Sequence, residues 1–177
     1  MACNITLKGI SFDCGTNLSG VRNLYIAKYD SIGPNKVTVD SSSDLGGSYI
    51  SAIDASAGSF KEYKPAKNTG SLTKTLTKDE TTGVLYYTNE AVAQFNRMDI
   101  PKREELANLD HGQLAVIVED MNGEYWYLGY DNYVSASAVT GQTGAGIDDG
   151  NFYTLTLTDI SAQLPYSVLA SAVAAVI

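Results

Sequence analysis

Beyond Arg103 the chain has no lysine and no arginine. Its last 74 residues carry ten carboxylates, whereas residues 1 to 103 hold twelve basic against ten acidic residues, so the whole net charge of −8 comes from the C-terminal part. A nucleic-acid reader neutralises phosphates with Lys and Arg, and this part of the chain has none to offer. Net charge that keeps the chain soluble and a surface that repels phosphates are both consistent with the asymmetry. Cysteine is scarce as well. Cys3 and Cys14 can close one small loop or pack as two reduced thiols, but two cysteines are no disulfide framework. One histidine and two distant cysteines exclude a zinc pattern. Four prolines argue against a long disordered linker. The start, Met-Ala-Cys-Asn-Ile-Thr, lacks the charged and apolar regions of a secretion signal, and no uninterrupted apolar run reaches the roughly 20 residues of a membrane span.

What is present points to β-structure. At 177 residues the chain is long enough for one domain with a real core. Twelve tyrosines against four phenylalanines and one tryptophan suit half-buried strands. Val21 to Tyr29 reads as a strand and Gly33-Pro34-Asn35 as a turn. Residues 40 to 58 are small and polar, and are expected to form a long surface loop with one short strand at Tyr49 to Ile53. Ser59 to Lys64 alternates weakly. Ser71 to Thr77 alternates strictly, with Ser71, Thr73, Thr75 and Thr77 on a wet face and Leu72, Lys74 and Leu76 opposite. Val84 to Asn89 is a further strand, and Glu90 to Met98 fits either its continuation or a helix. One helix is expected over about 99 to 110: Asp99 can cap it, Pro101 opens it, and Ile100, Arg103, Leu106 and Leu109 recur every third residue before Gly112.

The strongest local signal follows that helix. Leu114 to Glu119 and Glu124 to Leu128 flank Asp120-Met121-Asn122-Gly123, a β-hairpin with an Asn-Gly turn. Val134 to Gly150 is small and Gly-rich, and Gly141 to Asn151 is read as a Gly-rich loop between strands. Asn151 to Thr158 alternates, with Tyr153, Leu155 and Leu157 on one side. From Ile160 to Ile177 there is no charge. An apolar terminus needs cover, and this one packs either on its own domain or on a neighbouring subunit. On the second alternative Leu164, Tyr166, Val168, Leu169, Val173, Val176 and Ile177 are the candidate interface residues.

Chemistry is conspicuous by its absence. His111 follows the helix with no motif to pair it with a nucleophile or an orienting acid. No Gly-x-Ser-x-Gly and no phosphate-binding Gly-Lys-Ser/Thr occurs. The Gly141 to Asn151 stretch lacks the alternating ligands of a calcium loop, and the adjacent Asp148 and Asp149 point apart. Neither catalysis nor a cofactor nor a metal is expected.

The run Val116-Ile-Val-Glu-Asp-Met-Asn-Gly-Glu-Tyr-Trp-Tyr-Leu-Gly129, together with Asp13-Cys14, Gly20-Val-Arg-Asn-Leu-Tyr-Ile-Ala-Lys-Tyr-Asp30 and Thr143-Gly-Ala-Gly-Ile-Asp-Asp-Gly-Asn-Phe-Tyr-Thr-Leu-Thr-Leu157, resembles the tail tube (major tail) proteins of long-tailed phages and prophages of Bacteroidetes-type hosts. The resemblance covers most of the chain in order. It implies a single domain over 1–177, a mainly β sandwich or barrel with one flanking α-helix. It also implies rings of six copies whose inner strands join into one lumen barrel, stacked into a virion tail tube that conducts DNA. The implied partners are further copies and other tail proteins such as terminator, sheath or baseplate, with assembly in the host cytoplasm and no membrane. A neck, baseplate or decoration protein of the same virion shares these sequence features. A secreted adhesion-type sandwich shares the fold class but is expected to carry a secretion signal. The charge distribution alone generates one prediction. In a gel shift at physiological salt the protein should show no measurable affinity for duplex DNA, and a tight complex that weakens steeply with salt contradicts it.

Overall fold

The computed structural model describes residues 9–10, 15–32, 37–42, 47–56 and 58–177. Cys3, Cys14 and the expected Gly33-Pro34-Asn35 turn lie outside them. Eleven strands and two α-helices follow one another among the described residues: β1 Val21–Lys28, β2 Val37–Ser42, β3 Gly47–Ile53, β4 Lys61–Tyr63, β5 Ser71–Lys78, β6 Leu85–Asn96, α1 Ile100–Asp110, β7 Leu114–Asp120, β8 Tyr125–Leu128, β9 Ser135–Gln142, β10 Phe152–Ser161, β11 Ser167–Val168 and α2 Ala170–Ala174. They form two sheets, a seven-stranded one in the order β2-β3-β11-β8-β7-β1-β4 and a four-stranded one in the order β5-β6-β10-β9. The fold is a β-sandwich with one principal helix, as the sequence leads one to expect.

The sandwich forms because alternate residues of both sheets are apolar. Leu24, Ile26, Val116, Val118 and Leu128 from the large sheet meet Ala91, Ala93, Phe95, Leu155 and Leu157 from the small one, and Leu106 and Leu109 of α1 join the same core. Asp99 caps α1 by accepting the Lys102 N–H at 3.0 Å. Ile100 is expected on the helix's apolar stripe, but it is 77% exposed, because the helix first reaches the core at Leu106. The hairpin between β7 and β8 turns as expected. Gly123 takes a φ of +88° that a side chain would resist, and the Asp120 carboxylate accepts the N–H groups of Asn122 and Glu124.

The run Leu-Ala-Val-Ile-Val of β7 is buried on both faces. Its second face, with Tyr25, Ala27, Ala115, Ile117 and Tyr127, packs under a second core closed by Ile32, Ile50, Ile53, Phe60, Val168, Ala172, Val173 and Val176. The uncharged C-terminal segment supplies much of that cover within its own chain. Its strand β11 is inserted between β3, which it joins in parallel, and β8, which it joins antiparallel. Backbone bonds from Tyr127 N–H to Tyr166 O, from Leu169 N–H to Ile50 O and from Phe60 N–H to Val176 O fasten it.

Three sequence expectations change here. The short strand expected at Tyr49 to Ile53 is present as β3, but the long loop around it is not, because β2 and β3 pair as an antiparallel hairpin through Val37↔Ile53 to Ser42↔Gly47. Small polar residues hid that hairpin, which gains its place in the sheet from β11. The small residues from Ser135 to Gln142, left without an element in the sequence, form β9 along β10, so the Gly-rich loop begins two residues later than expected. Glu90 to Met98 resolves as strand, because β6 runs unbroken from Leu85 to Asn96 beside β10.

Two outcomes test the intrachain docking of the tail. Val173→Ala removes two buried methyl groups and should cost on the order of 2 kcal/mol in a urea titration. Deleting residues 164–177 removes the strand that joins the β2–β3 hairpin to the rest of the sheet and uncovers the second core. The truncated chain should lose cooperative thermal unfolding, and one that melts as the full chain does contradicts the account.

Candidate assembly surface

Among the described residues the four-stranded sheet is covered on one face only. Its pairing registers place Thr73, Glu90 and Thr158 in one cross-strand row. In the same way Thr75, Thr88 and Ile160 share a row, as do Val92, Thr156 and Ala138, and Gln94, Thr154 and Thr140. These rows form the outer face, since the alternate residues Asn89, Ala91, Ala93, Leu155 and Leu157 are buried inside. The outer face is thus a hydroxyl-rich surface on which Glu90 is the one charged side chain of these rows, and no Lys or Arg lies on it. The four-residue alternation of β5 foretold its share of this face.

Both outer strands of this sheet are open. Among the described strands nothing pairs with the free side of β5 or of β9. Edge strands are usually blunted by charge, proline or cover, and β9 (Ser-Ala-Ser-Ala-Val-Thr-Gly-Gln) carries neither charge nor proline. Gly141 lets β9 lie tight against β10, since a Cβ there would meet the Tyr153 ring at 2.8 Å. Each neighbouring pair in the sheet is antiparallel, so β5 and β9 run in opposite directions. A second copy rotated about an axis along the strands can therefore add its β9 to β5 as one more antiparallel ladder, and the next copy can repeat the step.

On the inner side of β5, the Lys74 ammonium sits 3.1 Å from the centroid of the Trp126 ring. Burial lowers its pKa to about 8, against the opposing pull of Asp120. It lines a groove of about 550 Å³ with Asn68, Asn122 and Leu18. The Glu119 carboxylate, 5% exposed on β7, is satisfied by Arg22 at 3.2 Å, Asn23 at 2.8 Å and the Tyr25 hydroxyl at 2.9 Å. Burial first, then that bond, raises Tyr25 to about 12. This network locks β1 to β7.

A second polar cluster lies between the sheets. The Asn89 amide donates to Asp159 at 2.9 Å and to Ser161 at 3.1 Å, all three being buried. Asn89 Oδ1, Asp159 Oδ1 and the Tyr127 hydroxyl have no hydrogen-bond partner among the described residues. Burial raises the Asp159 carboxyl above its ordinary value, more than the Asn89 amide, the Gly129 N–H and the Ser161 hydroxyl lower it. No motif in the sequence announced this cluster.

The residues expected at a subunit interface are split by the structure. Val168, Val173 and Val176 are buried in the chain's own second core, and Tyr166 and Leu169 are packed against it. Leu164 and Ile177 are about half-exposed, at 50% and 46%. The tail's buried side chains thus belong to the intrachain core, whereas the open edges β5 and β9 were not singled out beforehand. His111 is exposed, with Nδ1 3.2 Å from the Ala107 carbonyl oxygen. Among the described residues no cluster of three or more His, Cys, Asp or Glu could hold a metal, and no helix is long and apolar enough to cross a membrane.

No protein-family model matches the chain, and no curated protein does. Among solved structures it is similar to the SPP1 tail tube determined by solid-state NMR and cryo EM, at 12% identity and a TM-score of 0.36, over 82% of this chain and 78% of that one. At that identity and TM-score the likeness decides neither the fold nor the function, which rest on this chain's own residues.

The Asp159 environment fixes a sign. A carboxyl whose folded pKa is raised binds its proton more tightly in the folded state, so its contribution favours folding fully below the unfolded value of about 3.9 and is lost as pH rises through the folded value. Asp159→Asn removes this dependence. In paired denaturation curves the stability of the variant relative to the native chain should be highest at neutral pH and should decline as pH falls towards 4. A difference that stays flat with pH contradicts the reading.

Proposed function

We propose that this chain is a structural virion protein, a tail-tube subunit that assembles edge to edge into rings of six and stacks into a tube through which DNA passes. The observation that carries the reading is the four-stranded sheet with two open edges of opposite direction and a cation-free outer face. Such a sheet repeats head to tail, which is the geometry of a closed ring when the rotation closes, and closure removes both edges at once. Joined copies turn the threonine rows towards one side. A lumen built from them presents hydroxyls and one carboxylate per copy, a lining that hydrates well and offers phosphates no anchor. The sequence resemblance to tail tube proteins supports the same reading and is the sole ground for the host type and for the number six. On this reading the protein has no catalytic role, and its partners are its own copies and the other proteins of the tail.

Negative-stain images and sedimentation of the concentrated protein test this. Rings or stacked tubes with a central channel are expected. Particles that remain 19 kDa monomers at every concentration overturn the proposal, and single rings that never stack favour a neck or baseplate ring instead.

A further inference from the structure

Resting on the ring reading above, the geometry points to a specific lateral contact: Leu76 and Lys78 of one copy seat in the groove between α1 and β9 of the next, with Lys78 beside Asp110. The two halves of this contact are visible in one chain. On β5 the side chains that face inwards are Leu72, Lys74, Leu76 and Lys78, alternating apolar and basic. Leu72 packs on the core and Lys74 is held on Trp126. Leu76 stays 49% exposed and the Lys78 side chain 56% exposed, because the β5–β6 hairpin runs past the end of the sandwich. On the other edge, α1 lies against β9. Between them runs a groove of about 280 Å³ lined by Leu106, Ala107, Val139 and Tyr153, with Arg103 and Asp110 also on its wall.

The charges match. Arg103 is already paired with Glu104, which leaves Asp110, among the described residues, with His111 as its one ionic neighbour, at 3.9 Å. The partner strand brings Lys78, whose single ion pair, with Glu80, is exposed and worth little in water. The spacing matches too. Two residues along a strand cover roughly 6.8 Å and one helical turn about 5.4 Å. With Lys78 at Asp110, Leu76 therefore falls opposite Ala107 and Leu106. The directions agree, because β5 runs from Ser71 to Lys78 the same way that α1 runs from Ile100 to Asp110: both head towards the sheet end marked by Ser161 and Ser135. The occupant is a second copy of this chain, since the same strand that fills the groove also supplies the ladder that β9 lacks.

Charge reversal tests it on the full chain. Lys78→Glu and Asp110→Lys are exposed substitutions and should leave the circular-dichroism melt unchanged. Each should raise the concentration of half-assembly, read by sedimentation with negative-stain imaging, by at least about tenfold. The double variant K78E/D110K should recover to within about threefold of the native chain. Leu76→Asp should also remain folded and fail to assemble. Native chains that assemble while both single variants assemble equally well overturn this contact and leave the ring reading standing, as does a double variant no better than the singles. Native chains that never assemble overturn both.

Discussion

The strand Leu114–Asp120 is apolar on both faces, and a sheet built around it requires a cover on each side. The four-stranded sheet with α1 supplies one cover. The C-terminal segment, Phe60 and the β2–β3 hairpin supply the other. The order of the large sheet follows from this need. Strand β11 contributes only two residues, yet it sits between β3 and β8 and makes the hairpin part of the sheet. An uncharged tail that looks free to be lent to a neighbour is thus packed on its own domain, where its side chains help close the second core.

The four-stranded sheet has the opposite character. It has one dry face and one wet face, and nothing among the described residues covers the wet one. Its threonines serve twice, since β-branched side chains favour the strand and their hydroxyls hydrate the surface. Within the sandwich its few buried polar groups are tied across strands, Asn89 to Asp159 and Ser161, so that β6 and β10 are held in register by specific bonds as well as by alternation. A sheet with fixed register and unprotected edges is well suited to extension by identical sheets. This is the physical basis on which the ring proposal stands.

Much of this was legible in the sequence where periodicity is strong. The alternation of Ser71 to Thr77, the Asn-Gly turn at Asn122-Gly123 and the Asp99 cap each depend on neighbours a few residues away, and each appears where its pattern places it. The Tyr49 to Ile53 part of β3 was legible, but its pairing with β2 and the whole of β9 were not. Their serines, alanines and glycines have little strand preference of their own, and long-range pairing with β11 and β10 decides their conformation. The assembly surface was half legible. Composition gave the cation-free C-terminal part and the wet face of β5, but an open edge is a property of sheet order, which one-dimensional patterns do not contain. The tail shows the reverse difficulty: its need for cover was plain from sequence, while its choice between its own domain and a neighbour depended on the second apolar face of β7.

The central claim is that two particular strand edges meet. Amide hydrogen exchange, followed by residue in dilute and in assembled protein, tests it most directly. Protection should rise on assembly along both β5 and β9 and change little in β6 and β10, whose amides are already paired within the sheet. Assemblies in which the amides of β5 and β9 exchange as fast as they do in the monomer contradict the account.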